Sequence, residues 1–289
     1  GLSAETGQPL PVAAEALLEF LDYVRAHSLA GAVSVIPGMF GLLYRSTDPH
    51  ERRFAAALAE LRHYPIDPHM EIMTHNRLFD FSRMEMSDAA TTEMDWLDDW
   101  AVPSGEYRDY FRQTIAAGRE LGVSYAGMTT PGVHPDMNPN VWTALLEVTE
   151  AGEFGRQAIA VFANVEPQAL LVAPRLQAQR GQCAVYDLAS ATEDYLGRWL
   201  NSPEVVAVDY YVDGRGGGRL ASLIEAGSPT AVFHMHWQGV NPQHGVGWRA
   251  LQRMVERLND RFGERILWRR PSEIAASAFG VAGMQVVSG

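Results

Sequence analysis

Apolar residues recur along this chain in two alternating rhythms. One returns every three or four positions, as on one face of a helix, and the other consists of short, nearly continuous runs, as in buried strands. Ala14, Leu17, Leu18, Leu21 and Val24 fall on one helical stripe and predict a helix over about Pro11 to His27. The run Gly31-Ala-Val-Ser-Val-Ile36 predicts a strand, closed by Pro37-Gly38. A second helix is expected over Pro49 to Leu61, and a second strand over Met70 to His75. The connection from Phe79 to Ser104 is rich in Asp, with Trp96 and Trp100 among the acids. A link of that length inside a compact domain is functional or holds a short helix of its own.

The alternation continues to the end. Tyr107, Tyr110, Phe111, Thr114, Ile115 and Gly118 line a helix, and Gly122 to Gly127 reads as the next strand. Asn140 is expected to cap a helix carrying Trp142, Leu145 and Leu146. Strands follow at Ala158 to Phe162, Ala169 to Ala173 and Gln182 to Tyr186, then a helix near Glu193 to Leu200. Next come a strand at Val205 to Tyr211, a helix near Gly218 to Ala226 and the apolar strand Thr230 to His236. Trp248, Leu251, Val255, Leu258 and Phe262 place a long helix, and Ile266 to Trp268 a last strand. No linker or shift of composition interrupts the pattern, which predicts a single α/β domain over residues 1–289. About seven strand–helix units favour a closed parallel barrel, with an open doubly wound sheet as the alternative.

Composition narrows the chemistry. The 35 acidic residues outnumber the 23 basic ones for a net charge of −12, which leaves no broad cationic face for nucleic acid or an anionic membrane. Every basic residue other than histidine is arginine. Without lysine there is no Schiff base, no pyridoxal anchor and no phosphate-loop lysine. The cluster Gly214-Arg-Gly-Gly-Gly218 lacks the dinucleotide spacing and reads as a tight turn, so no nucleotide cofactor is expected. The one cysteine, Cys183, sits in a strand-like run and reads as a core thiol. No apolar run reaches the ~20 residues of a membrane span. The chain opens at Gly1-Leu2-Ser3 in what reads as a strand already under way, which points to residues upstream, and the expectation is a soluble protein, cytoplasmic or exported.

In a parallel barrel the reactive groups gather at the carboxyl ends of strands. Three such places carry proton or metal chemistry: Glu5-Thr6-Gly7, Thr74-His75 with Asp80, and His234-Met-His236-Trp237. Residues two apart on a strand share a face, so His234 and His236 are expected to converge on one ligand, beside a Trp237 ring on which a sugar can pack. His134 and His244 lie in Gly/Pro/Asn-rich loops and form a second rank, whereas His27, His50, His63 and His69 read as surface. Asp209 and Asp213 read equally as turn residues or as catalytic carboxylates.

Taken in order, these strand-end sequences resemble the polysaccharide deacetylase-like superfamily of distorted (β/α)7 barrels, which also contains glycoside hydrolases. Ser3-Ala-Glu5-Thr6-Gly7 stands where that family has TFDDG, and Gly31 to Gly38 is similar to its KATFFVIG strand. Glu71-Ile-Met-Thr-His75 to Asp80 resembles EIGSHTxxHP, Met128-Thr-Thr-Pro-Gly132 the Arg-x-Pro-x-Gly loop, and Val232-Phe-His-Met-His236 the late Leu-x-His strand. Thr6 replaces a metal-binding Asp, Phe79 the second metal-binding His, and Thr129 the arginine.

The resemblance implies a carbohydrate-active hydrolase, deacetylase-like or glycoside hydrolase-like. In it Glu5 activates water, His236 protonates the leaving group, and His75 with Asp80 orients substrate or holds one divalent ion such as zinc, helped by Glu5. His234, Trp237, Thr129 and Thr130 would bind the saccharide or other small substrate. A metal-free variant pairs Glu5 with Asp80 or Asp209. The competing expectation is a barrel without turnover that binds a saccharide or a protein partner.

Overall fold

The computed structural model describes residues 14–38, 43–75, 77–88, 91–197, 204–243 and 246–286. The chain divides into two compact units, each assembled from three stretches. One comprises His27–Asn164, Pro174–Leu188 and Arg269–Gly289, the other Gly1–Ala26, Val165–Ala173 and Ala189–Trp268.

The first of these is mixed α/β, built on a six-stranded sheet that is mostly parallel. Its strands are β1 (Gly31–Val35), β2 (Ile66–Met70), β5 (Gly127–Thr129), β6 (Ala158–Phe162), β7 (Arg175–Arg180) and β8 (Cys183–Asp187), in the order β1-β2-β5-β6-β8-β7. Only β7 is antiparallel, joined to β8 by a hairpin that turns at Gly181 with φ of 55°. β3 (Phe79–Asp80) and β4 (Glu85–Met86) form a small separate hairpin. Helices α2 (Pro49–Ala59), α3 (Glu93–Leu97), α4 (Ser104–Glu120), α5 (Pro139–Glu150) and α10 (Pro271–Val286) complete the unit.

Local chemistry sets these boundaries. The Asp48 carboxylate accepts the amides of His50 and Glu51, and Pro49 opens the first turn of α2. Asn138, two residues before the expected cap, receives the Asn140 amide, and Pro139 starts α5. The stripe on α4 is buried as expected, through Tyr107, Tyr110, Phe111, Thr114 and Ile115. Gly118 belongs to it by necessity, since a Cβ there would lie 2.3 Å from the Tyr125 ring. Small side chains on β6 and β8 (Ala158, Ala160 and Ala184) let α10 lie against the sheet through Ala275, with Phe162, Ile274 and Phe279 packed around them.

Six strand expectations shift or fail, one of them, Thr230 to His236, in the segment described with the second unit. The second strand is Ile66–Met70, and Met70 to His75 is its exit loop, with Ile72 and His75 at positive φ. Pro68 disguises the strand. Its carbonyl accepts the Ala126 amide, and β5 begins opposite His69, so the missing N–H faces a stretch with no strand partner. The strand expected at Gly122 to Gly127 begins at Gly127. Ala169 to Ala173 holds only a bridge from Val172 to Thr230. Val205 to Tyr211 is helical, within α6 (Glu204–Tyr211), because its buried residues, Ala207, Val208, Tyr211 and Val212, follow helical spacing. Ile266 to Trp268 is irregular, and past it, where the pattern predicts nothing, lies α10.

The second unit is largely helical in its described part, with α1 (Ala14–Ala26), α6, α7 (Arg219–Glu225), α8 (Trp237–Val240) and α9 (Val246–Phe262). Residues 11–13 of the first expected helix and 198–200 of the Glu193 to Leu200 helix lie outside the described residues, and the described part of the latter, Glu193 to Gly197, is loop and turn rather than helix. Phe20 on α1 meets Trp237 edge-on at 5.7 Å and Trp248 at 6.0 Å. Asp209 on α6 pairs with Arg257 on α9 at 2.7 Å. The expected strand Thr230 to His236 is an irregular segment, tied down where Thr230 donates to Val172 and Val232 accepts from Ala191. Arg219 fastens the neighbouring loops by donating to the carbonyls of Ala191, Glu166 and Ala169. The glycine cluster is the expected turn, with the Asp213 carboxylate accepting the amides of Arg215 and Gly217. Among the described residues no helix is long and apolar enough to cross a membrane.

Asp67 on β2 has no solvent exposure, accepts the Ser272 amide at the start of α10 at 2.8 Å and faces Arg156 at 3.5 Å. Replacing it with alanine removes a charged acceptor from a buried helix start. Asp67→Ala is expected to lower stability by about 2 kcal/mol, the scale of a hydrogen bond to a charged group. Urea denaturation measures this, and an unchanged midpoint would show that α10 docks without Asp67.

Candidate functional site

In the first unit the parallel strands deliver polar groups to their carboxyl ends. The exit of β2 is shaped by a carboxylate. Glu93, in the first turn of α3, has no solvent exposure and accepts the amides of Met73 (3.1 Å), Thr74 (3.0 Å) and His75 (2.6 Å) and the hydroxyl of Tyr110 (2.6 Å). Gathering three successive N–H groups on one anion draws the loop into a tight concavity, consistent with the positive φ values that bracket it. Burial pushes the Glu93 carboxyl up to about 7, against the downward pull of the Tyr110 hydroxyl and the loop amides.

The same loop presents His75, whose Nδ1 lies 2.5 Å from a Glu71 carboxylate oxygen. That hydrogen bond raises the His75 ring above the ordinary histidine value, with burial opposing it. Asp80 caps its own turn. One of its oxygens accepts from the Ser82 hydroxyl, the Ser82 amide and the Arg83 amide, which holds the carboxyl below its usual range. Each member of the expected His75 and Asp80 pair is therefore engaged by a different neighbour, Glu71 for the ring and Ser82 with Arg83 for the carboxylate. Among the described residues no group of three or more His, Cys, Asp and Glu side chains is placed to hold a metal.

Thr129, at the end of β5, has its hydroxyl 3.3 Å from Nδ1 of His69, and the Thr130 hydroxyl lies between the carbonyls of Gly132 and Phe162. His69 corrects an expectation: it is no surface residue but a fully buried one on β2, stacked on Phe162 at 5.2 Å. Burial lowers its ring to about 4, which keeps it neutral. His27, His50 and His63 are exposed, as expected. His134 is buried with Nδ1 2.9 Å from Asp98, and Cys183 is a half-buried free thiol on β8. Glu5 and His244 lie outside the described residues.

The second unit holds the other expected cluster. Asp194, nearly without exposure, accepts three hydrogen bonds: the Gly197 amide at 2.6 Å, the His236 amide at 2.9 Å and the His236 ring Nδ1 at 2.5 Å. Burial raises the Asp194 carboxyl, but these bonds together outweigh it and hold it below the usual range, as an anion. Gly197 lies so close that a Cβ on it would stand 2.3 Å from the His236 nitrogen. The His236 side chain is 58% exposed, so the pair joins a sequestered carboxylate to a ring that solvent reaches. His234 has Nδ1 2.8 Å from the Ser190 hydroxyl, and the two imidazoles stand 6.3 Å apart. Trp237, expected as a sugar platform, is half-buried against Phe20. Asp213 is the turn residue and Asp209 the ion-pair partner of Arg257, so both carboxylates are occupied structurally.

Sequence patterning missed Glu93, Asp194 and Ser190. Thr92, whose hydroxyl caps α3 through the Asp95 amide, was the available signal for Glu93, since an acid one residue past a Thr cap opens a helix. No spacing links Asp194 to His236, which stand 42 residues apart. The sequence matches no protein-family model and no curated protein.

Glu93 makes stability depend on pH with a definite sign. Its folded value of about 7 lies above the ordinary 4.5, so the folded state holds the proton more tightly between those two values. The contribution is complete below pH 4.5 and is lost as pH rises through 7. Relative to Glu93→Gln, the parent is expected to lose on the order of 3 kcal/mol of stability between pH 4.5 and 8. Urea denaturation of both proteins at the two pH values tests this, and a constant difference would refute it.

Proposed function

We propose that the protein is a hydrolase acting on a carbohydrate, at an acyl or glycosidic bond, with His236 as the acid that protonates the leaving group. The observation that carries this is the Asp194–His236 pair. A buried anion on Nδ1 fixes the ring and its tautomer, supplies the counter-charge for an imidazolium, and directs proton exchange to Nε2. His236 is also the position that resembles the late histidine of the deacetylase-like superfamily. Structural histidines on a surface do not need a carboxylate that is itself withdrawn from water and held by two main-chain amides.

The strand order supports the fold implied by that resemblance. A doubly wound sheet starts near its middle and reverses direction, whereas β1, β2, β5, β6 and β8 follow one another in chain order across the sheet. That progression is compatible with the winding of a distorted (β/α)7 barrel, which is the fold we propose. The base that the resemblance implies, Glu5, lies outside the described residues, and within the proposal Trp237 is a flat apolar flank for a sugar ring. A second reading, a saccharide- or protein-binding barrel without turnover, is favoured by one specific observation: Asp80, expected near the chemistry, caps its own turn.

The test is turnover of N-acetylglucosamine oligomers, acetylated xylan oligomers and 4-nitrophenyl glycosides, followed by acetate or nitrophenol release. The parent is expected to hydrolyse at least one of them. Asp194→Asn, which keeps the shape but removes the anion, is expected to lose about 100-fold or more in kcat/KM. Equal activity in the variant would remove His236 and Asp194 from the mechanism, and no turnover by the parent would favour the binding reading.

A further inference from the structure

We propose that His234 is the general base of this site and works opposite His236, so that two histidines two residues apart divide the proton transfers between them. The assignment rests on the hydrolase reading above and goes beyond its sequence basis, because the resembled strand has leucine where this chain has His234.

The surroundings of Ser190 favour one tautomer of His234. Ser190 is buried, and its single hydroxyl proton is directed to the carbonyl of Thr192 at 3.2 Å, while the Thr192 amide approaches the same oxygen at 3.4 Å. With the proton so placed the hydroxyl oxygen is left to accept, and within the proposal the 2.8 Å contact is assigned as Nδ1–H of His234 donating to Ser190. A neutral ring protonated at Nδ1 carries its lone pair on Nε2, which is the form a base requires. His236 also has its Nδ1 committed, but to an anion.

The two anchors set the rings apart. A hydroxyl stabilises neutral His234, whereas the Asp194 carboxylate is the counter-charge for a protonated His236. The charged and titratable groups facing His234 are Asp194, His236 and Glu193. Burial is the largest influence and lowers the His234 ring below the ordinary histidine value, with His236 adding to the effect and the two carboxylates opposing it. A ring held neutral beside one that faces an anion divides the roles of base and acid.

The step balances on an acylated sugar and water. A water proton passes to Nε2 of His234 as the water oxygen bonds to the acyl carbon. As the tetrahedral species collapses, the bond from that carbon to the sugar nitrogen or oxygen breaks, and the leaving atom takes the proton from Nε2 of His236. The products are a carboxylic acid and the freed amine or hydroxyl, and exchange with solvent returns the proton from His234 to His236. Ser190 is a positioning residue.

Nitrogen NMR of histidine-labelled protein from pH 4 to 9, assigned with His234→Ala and His236→Ala, reads the tautomers directly. The expected result is His234 as the Nδ1–H form, titrating below the ordinary histidine value. Ser190→Ala is expected to give a mixed tautomer and Ser190→Thr to restore it. On whichever of the acetylated oligomers the parent hydrolyses, His234→Ala is expected to lose about 100-fold or more in kcat/KM and to flatten the acid limb of the pH profile, whereas His236→Ala flattens the alkaline limb. An Nε2–H tautomer at His234, or turnover that survives His234→Ala, overturns the base assignment and leaves the hydrolase reading standing. No turnover of any probe by the parent overturns the hydrolase reading and the base assignment with it.

Discussion

A carboxylate withdrawn from water must be met by donors, and this chain meets two of its buried carboxylates with main-chain N–H groups. Asp194 takes the amides of Gly197 and His236, and Glu93 takes those of Met73, Thr74 and His75. In each case the anion dictates the path of a loop and also the attitude of a histidine that the loop carries. The irregular segments are as determined as the helices, because moving them would strand a charge in a medium that solvates it poorly.

The sheet of the first unit obeys a different constraint, that of space. Alanines on β6 and β8 bring α10 close, Gly118 lets α4 come against Tyr125, and Gly127 accommodates the buried ring of His69, to which a Cβ would come within 2.8 Å. Polar groups on this sheet are accepted only where a partner exists, as with Asp67 and the start of α10. The first unit is thus held by close approach and by a few charged acceptors placed at helix starts.

What could be read from the sequence follows from these causes. Helices with one apolar stripe, such as α4 and α9, were legible because burial imposes their period. The strands β1, β6 and β8 were legible as apolar runs. β2 was not, because Pro68 and the polar pair Asp67 and His69 conceal a central strand, and α6 was misread because Val and Tyr favour strands locally while packing decides otherwise. For the candidate site, His75, His234 and His236 could be picked from their places in the pattern. Glu71 stands only four residues before His75, but reading that stretch as a strand sets the two about 13 Å apart, and the anchors Ser190 and Asp194 could not be assigned because local patterning carries no record of which loops meet in space.

The way the chain divides has a consequence for how it can be made and cut. Each unit is assembled from three stretches that interleave with those of the other, so the hairpin β7–β8 is synthesised after residues 165–173 of the other unit and α10 after all of it. No single boundary separates a finished piece from an unfinished one. The first unit cannot close its sheet and cover it until the last helix has left the ribosome. Cleavage at any one crossing would leave at least one fragment that holds part of both units, so no single cut releases either unit whole and by itself as a module to be inherited, exchanged or expressed.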